Sequence, residues 1–198
     1  MTFRHHWCIH PLNLKITDMH GTEAPSNWVT RWTHLLPPQS RVLDLACGAG
    51  RHMRWLAENG HRCVGVDRSS EALQVAKAHG QVIEADIETG DWPLLGKQFD
   101  AVIVTNYLWR PLMPRILESL TPTGFLIYET FALGHEKYGK PSRPDFLLQP
   151  GELLQTCSQM HVIAYENGYS DQPPKVVQRI VATPQVPAPG QQFGLGSR

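Results

Sequence analysis

An apolar stretch that ends in a glycine-rich turn and leads directly into a helical pattern constrains the fold of this chain most. Residues Val42–Gly50 read Val-Leu-Asp-Leu-Ala-Cys-Gly-Ala-Gly, and Arg51–Ala57 continue with helical spacing. A second apolar segment, Cys63–Val66, follows and ends at Asp67. A strand, a tight turn, a helix and a second strand are the parts of a βαβ unit, in which the turn lies at the helix N-terminus. The pattern therefore predicts an α/β fold with a ligand site where the first strand ends.

The alternation of strands and helices continues to about residue 130 and then changes. Two later strands, His161–Gly168 and Val176–Thr183, are joined by a short loop, so we expect them to be antiparallel neighbours at one sheet edge. Between the two regions, Phe131–Gln149 is interrupted by Gly and Pro and is predicted to be an ordered loop or lid. The prediction is a doubly wound, seven-stranded, mostly parallel α/β sheet whose last strand is antiparallel. The earlier predicted strands are Arg41–Leu45, Arg62–Val66, Gln81–Ala85, Phe99–Val104 and Phe125–Thr130, and the predicted helices span residues 26–36, 51–59, 70–79, 111–120 and 150–159.

Composition divides the chain into one domain and two flanking segments. Residues 1–25 are irregular and rich in His, and residues 184–198 are rich in Pro, Gly and Gln, which predicts a disordered tail. The domain is therefore expected at residues 26–183. Four histidine and cysteine side chains in the first segment match no zinc spacing, so we predict no metal site there. They are His5, His6, Cys8 and His10.

Charge and cysteine content restrict the environment and the partners of the protein. Eighteen basic residues balance 18 acidic ones, which gives no electrostatic reason to expect a nucleic-acid-binding face. The four cysteines are scattered without a C-x-x-C pair, as expected of free thiols in a reducing compartment. No apolar stretch is long enough to span a membrane, so a cytoplasmic location is expected. The sequence does not indicate whether the protein is a monomer or an oligomer.

The side chains at the ends of the predicted strands indicate which cofactor the turn binds. A dinucleotide site needs G-x-G-x-x-G, but here Met53 stands in the third glycine position. Asp44 would repel a pyrophosphate, whereas it suits a ligand that carries an ammonium group and a sulfonium. Asp67 would accept hydrogen bonds from the ribose hydroxyls, and Asp86 would accept one from the adenine amino group. The order of these residues predicts S-adenosylmethionine. The predicted cofactor-binding residues are Asp44, Ala46, Gly48, Gly50, Asp67, Arg68, Asp86, Ile87 and Asn106.

At these residues the chain resembles the class I S-adenosylmethionine-dependent methyltransferases. The resemblance covers about Arg41–Thr130 and rests on the Asp-x-x-x-Gly-x-Gly element and the two later acids. It implies the seven-stranded fold of that family, its cofactor and methyl transfer. Two downstream segments, Leu147–Leu153 and Tyr165–Gly168, resemble corresponding segments of the tellurite-resistance methyltransferases and suggest that branch.

The resemblance leaves the acceptor and the catalytic residues open. Methyl transfer from an activated cofactor needs mainly an acceptor held in line with the leaving sulfur, so no catalytic residue is assigned. Glu129 is either a buried structural carboxylate or a base. The neutral charge favours a small-molecule acceptor, such as a thiol, a metalloid oxyanion or a small metabolite. The alternatives are an RNA- or protein-modifying methyltransferase, an NAD-dependent oxidoreductase and a non-catalytic cofactor-binding module. The candidate acceptor-contacting residues are Tyr107, Arg110, Glu129 and Arg143.

Overall fold

The fold is built around one seven-stranded sheet in the part of the chain that the computed structural model describes, residues 23–196. The strands are β1 Arg41–Leu45, β2 Arg62–Asp67, β3 Gln81–Glu84, β4 Phe99–Thr105, β5 Leu120–Phe131, β6 His161–Asp171 and β7 Pro174–Thr183. The helices are α1 Asn27–Trp32, α2 Arg51–Glu58, α3 Ser70–Ala76, α4 Met113–Glu118 and α5 Glu152–Thr156.

The strand order is β3-β2-β1-β4-β5-β7-β6. Strands β1 to β5 pair in parallel, and β7 pairs antiparallel with both β5 and β6. This arrangement confirms the predicted doubly wound sheet and the antiparallel last strand. Because the chain runs outward from β1 to β3 and then returns to β4, a crevice opens where β1 and β4 end side by side.

Helices cover both faces of the sheet, and the alternation along each strand supplies two apolar layers. On one face, the α1 and α2 side chains Trp28, Trp32 and Met53 are buried against the sheet. On the other face, Ile116 of α4 and Leu153 of α5 are buried in a second cluster. The two tryptophans therefore belong to the core of the α1 face.

Several predicted boundaries differ from the structure, among them those of α4, β3 and the β6–β7 hairpin. Helix α4 ends at Glu118 rather than residue 120, because Leu120 pairs with Phe99 and starts β5 through an irregular stretch of register. The β6–β7 hairpin is longer than predicted at its tip, since pairing continues to Asp171 and Pro174. Strand β3 ends one residue before the predicted end, at Glu84.

The loop that follows β5 and the described segment that follows β7 contain no α-helix and no strand of the sheet. Residues 131–149 hold two short 3-10 turns, His135–Lys137 and Pro144–Phe146, and are an ordered loop. Residues 184–196 have no helix or strand, but the Phe193 ring contacts those of Phe125 and His161. The histidine-rich segment and its predicted lack of a metal site lie outside the described residues. No helix between residues 23 and 196 has the length and apolar character needed to cross a membrane.

Candidate functional site

The turn from β1 into α2 forms the floor of a cleft at the carboxyl edge of the sheet. Ala46, Gly48 and Gly50 all have positive φ, at 53°, 54° and 80°. At Gly50 a side chain is excluded twice, since the backbone is left-handed and an added Cβ would lie 2.9 Å from Cβ of Ala76 in α3. The Gly48 amide donates to Oδ2 of Asp67 at 2.8 Å, which fixes the turn against the end of β2.

Asp67 lies at the rim of a small cavity of about 150 Å³ next to this turn. Its Oδ1 accepts a hydrogen bond from the Ser69 amide at 2.9 Å, and its Oδ2 accepts the one from Gly48. A carboxylate oxygen can accept two hydrogen bonds, so each oxygen of Asp67 can accept one more from a ligand hydroxyl. The cavity is lined by Ala46, Asp67, Arg68, Ala85, Asp86, Ile87, Glu88 and Tyr107. The structure thus brings together the residues predicted around the adenosine.

Asp86 is exposed at the same cavity and organises the turn that follows β3. Its Oδ1 accepts from the Glu88 amide at 3.0 Å, and its Oδ2 accepts from the Thr89 hydroxyl at 2.8 Å. The Thr89 hydroxyl, together with the Glu88 amide, lowers the pKa of Asp86 below its usual range. An ionised carboxylate at this position is a suitable acceptor for an exocyclic amino group.

Asp44 is buried below the floor of the cleft and has one oxygen without a partner. The strand alternation turns its side chain toward α2, where Oδ1 lies 3.7 Å from Nδ1 of His52. Nε2 of His52 accepts a hydrogen bond from the Ser26 amide at 3.2 Å, so the neutral ring carries its proton on Nδ1, facing Asp44. Among the described residues, nothing donates to Oδ2 of Asp44. Because buried polar atoms are normally satisfied, this oxygen fits a ligand ammonium group held directly or through water.

Two larger cavities continue the cleft away from the adenosine end. Their volumes are about 410 Å³ and about 570 Å³. The first includes Tyr107, which also lines the small cavity and so stands between the two ends. Burial, with the Glu88 carboxylate adding to it, raises the pKa of Tyr107, which keeps the phenol neutral. The two larger cavities share Glu23, Arg51, Asn106, Phe131 and Lys140.

Asn106 is held in a strained conformation where β4 ends. Its φ is +55°, and its amide donates to the Glu129 carbonyl at 2.9 Å. A residue other than glycine in the left-handed region is uncommon and often belongs to a functional site. The exposed Asn106 side chain lies at the junction of the two larger cavities, where an acceptor would approach the cofactor.

Glu129 lines the cavity of about 570 Å³, and both of its carboxylate oxygens contact neighbouring side chains. Its carboxylate accepts from the Ser26 hydroxyl at 3.1 Å and forms ion pairs with Lys175 at 3.2 Å and Arg179 at 3.1 Å. Burial raises the pKa of Glu129, but the two cations outweigh burial and lower the pKa below its usual range. Of the two roles predicted for Glu129, these contacts favour the structural carboxylate.

The structure does not bring Arg110 or Arg143 into the cleft. Arg110 forms a two-pronged ion pair with Glu152 at 2.7 and 2.9 Å and donates to the carbonyls of Asp145 and Leu147. It therefore fastens the 131–149 loop and α5 to the start of the α4 segment. Arg143 is exposed, pairs with Asp145 at 2.9 Å, and does not line any of the three cavities.

Several cleft residues were not predicted from the sequence. Ser26, expected only as the cap of α1, joins the cofactor side to the acceptor side, because its amide donates to His52 and its hydroxyl to Glu129. Lys140 and Lys175 lie in the loop and at the hairpin tip, and no local pattern marks either as a cleft residue. A basic residue beside a Pro-rich tip is the only sequence signal for Lys175.

Comparisons with known proteins agree with this geometry. Residues 42–124 match a family described as a methyltransferase domain. The putative methyltransferase YqeM of Bacillus subtilis (strain 168) is 30% identical over 122 residues, which cover 54% of this chain and 49% of that protein. The chain thus spans about half the length of this curated relative.

Solved structures show the same fold at low sequence identity. TehB from Haemophilus influenzae has a TM-score of 0.69 and 16% identity, covering 84% of this chain and 64% of that one. A TehB-like S-adenosylmethionine-dependent methyltransferase from Corynebacterium glutamicum has a TM-score of 0.57 and 19% identity, covering 79% of this chain and 86% of its own. At these identities the similarity establishes the fold.

Proposed function

We propose that this chain is a class I S-adenosylmethionine-dependent methyltransferase and that it transfers a methyl group to a small-molecule acceptor. The observation that carries the proposal is one continuous cleft with two different ends. The adenosine end has Asp67 and Asp86, and the other end opens into the cavity of about 570 Å³. Asn106 lies between them. Clefts or cavities of roughly 300–1,000 Å³ are typical of small-molecule sites.

The cofactor assignment rests on acceptors placed for three different groups of S-adenosylmethionine. Asp67 offers both carboxylate oxygens to the ribose hydroxyls, and Asp86 lies where an adenine amino group would donate. Asp44 offers the buried oxygen that has no partner among residues 23–196 to the ammonium group. A dinucleotide would place its pyrophosphate near the same carboxylate, which is electrostatically unfavourable.

The chain's own groups position the acceptor rather than deprotonate it. When bound, the cofactor supplies a methyl group on a sulfonium. A lone pair of the acceptor would form the new bond to the methyl carbon, and the electrons of the broken carbon–sulfur bond would stay on sulfur as a neutral thioether. Glu129 is committed to two cations and a hydroxyl, and both nitrogens of His135 are engaged, with Lys140 O at 3.2 Å and Val176 N at 3.4 Å. We therefore expect an acceptor that enters in its nucleophilic form.

The test combines binding with turnover. Calorimetry is expected to show binding of S-adenosylmethionine and S-adenosylhomocysteine but not of NAD. Mass spectrometry of a panel of thiols, amines and carboxylic acids is then expected to show a methylated product. Cofactor binding without turnover on any acceptor would support the non-catalytic module, and binding of NAD alone would support the oxidoreductase.

An RNA- or protein-modifying enzyme is the alternative within the same reaction class. The balanced charge of the chain, with 18 basic and 18 acidic residues, argues for the small acceptor. Submicromolar, salt-dependent binding to tRNA or rRNA fragments would replace the small-molecule proposal. A cytoplasmic location is part of the proposal and would be contradicted by recovery in a secreted fraction.

A further inference from the structure

We infer that the acceptor is an organic molecule with a carboxylate group, held by Lys140 and Lys175 at the wall of the cavity of about 570 Å³. The inference rests on the proposed function, because it names the acceptor class for the same cleft. Three observations carry it: the excess positive charge of the cavity, the position of the two lysines, and the size and aromatic content of the walls.

The acceptor cavity has more cations than its carboxylates neutralise. Among residues 23–196, its lining contains four cationic side chains and two carboxylates, an excess of two positive charges. Counting the adjacent pair of Arg31 and Glu166, which contact each other at 3.3 Å, leaves this excess unchanged. The four cations are Arg51, Lys140, Lys175 and Arg179, and the two carboxylates are Glu23 and Glu129.

The excess charge is available mainly at one wall. Arg51 pairs with Glu23 at 2.9 Å, and Arg179 is held between Glu129 and Glu166, at 3.1 and 2.6 Å. Lys140 is exposed, and it is not a partner in any of the ion pairs within residues 23–196. A cation without a counterion at the wall of a cavity favours an anionic ligand.

His135 places the two lysines at the same wall. This buried residue donates through Nε2 to the carbonyl of Lys140 at 3.2 Å, and its Nδ1 accepts from the amide of Val176 at 3.4 Å. Lys175 directly precedes Val176 on β7, and its ammonium already contacts Glu129 at 3.2 Å. The ring of His135 therefore ties the loop backbone to the hairpin backbone beside both lysines. A carboxylate bound there has two donors from different elements.

The remaining walls fit an organic body rather than an inorganic anion. The Phe131 ring stacks on His135 with centroids 4.2 Å apart, and both residues line the cavity. Tyr138 also lines the cavity; its ring centroid lies 5.1 Å from that of Tyr169, and the two residues are 48% and 56% exposed. A volume of about 570 Å³ far exceeds the space that an oxyanion alone would fill.

The test uses the protein saturated with S-adenosylhomocysteine and a panel of aromatic and aliphatic carboxylic acids, each paired with its neutral amide. Ligand-detected NMR measures binding of each probe. Acids are expected to bind at least about fivefold more tightly than their amides. Lys140→Glu is expected to remove that preference, whereas Lys137→Glu, with the same change in net charge at an exposed residue outside the cavity lining, is expected to keep it.

The outcomes separate this inference from the proposed function. Equal binding of acids and amides, no acid bound at all, or a Lys140→Glu variant that keeps the preference would each overturn the inference. Calorimetry with S-adenosylhomocysteine on the same samples tests the cofactor site by itself. Cofactor binding with no acid preference leaves the methyltransferase proposal standing, and loss of cofactor binding in the wild type removes both.

Discussion

Replacing Asp67 with Ala tests the cofactor site most sharply, because the carboxylate has two separable roles. It accepts hydrogen bonds from the Gly48 and Ser69 amides, at 2.8 and 2.9 Å, and it is proposed to accept hydrogen bonds from the ribose hydroxyls. Losing two half-buried acceptors is expected to lower the free energy of unfolding by about 1–3 kcal/mol. Separately, losing the ribose hydrogen bonds is expected to weaken the binding free energy of S-adenosylhomocysteine by ~1–3 kcal/mol, which is roughly 5- to 150-fold in Kd.

The assay is calorimetry with S-adenosylhomocysteine, accompanied by urea denaturation. Asp100→Ala is the matched control, since Oδ2 of Asp100 also accepts a backbone amide, that of Arg41 at 2.8 Å, at the opposite edge of the sheet. This control is expected to lose about 0.5–1.5 kcal/mol of stability with no change in cofactor affinity. A folded Asp67→Ala protein that binds the cofactor product with wild-type affinity would refute the ribose assignment.

Three further predictions address the buried charge, the turn and the ion-pair cluster. Asp44→Asn is expected to weaken binding of S-adenosylhomocysteine roughly tenfold while leaving stability in urea undiminished, because the unpartnered oxygen has no native bond to lose; a less stable but fully binding variant would contradict this. Gly50→Ala is expected to lower the free energy of unfolding by about 2–4 kcal/mol, because φ is +80° and the new Cβ would lie 2.9 Å from Cβ of Ala76. Gly60→Ala, with φ +83° and open space around it, is expected to lower the free energy of unfolding by only ~1–2 kcal/mol. Equal losses in the two variants would show that the contact at Gly50 relaxes. The pKa of Glu129 is lowered, so its ion pairs stabilise the fold above its usual pKa of 4.5 and are lost as the pH falls through the lower folded value. Urea midpoints below about pH 4.5 should therefore fall more steeply in wild type than in Glu129→Gln, and parallel pH profiles would exclude this contribution.

The sequence was sufficient to predict the parallel half of the fold because the turns and caps that bound its strands and helices are local sequence signals. The strand segment Val42–Leu45 is followed by a glycine-rich turn, and caps such as Ser26 and Ser69 mark helix starts. The start of β5 was missed since Thr121–Gly124 has turn residues yet continues the strand. Whether such a segment belongs to a strand depends on the strand it pairs with, and local propensity carries no information about that partner.

The candidate site divides in the same way. Asp67 and Asp86 were predictable because strand ends in a parallel sheet meet at one edge. Ser26 and Glu129 are 103 residues apart, and Arg110 and Glu152 are 42 apart, so neither contact leaves a sequence pattern. The acceptor wall depends on such long-range contacts, which is why the arginine that fastens the loop was predicted as an acceptor residue.

A structure determined with S-adenosylhomocysteine bound tests the central claim most directly. The account predicts the ribose hydroxyls within hydrogen-bond distance of both oxygens of Asp67, and the adenine in the cavity beside Asp86 and Ile87. The homocysteine ammonium should lie next to Asp44, and the sulfur should face Asn106. Adenine density elsewhere on the sheet edge, or a dinucleotide bound in this cavity instead, would contradict the account.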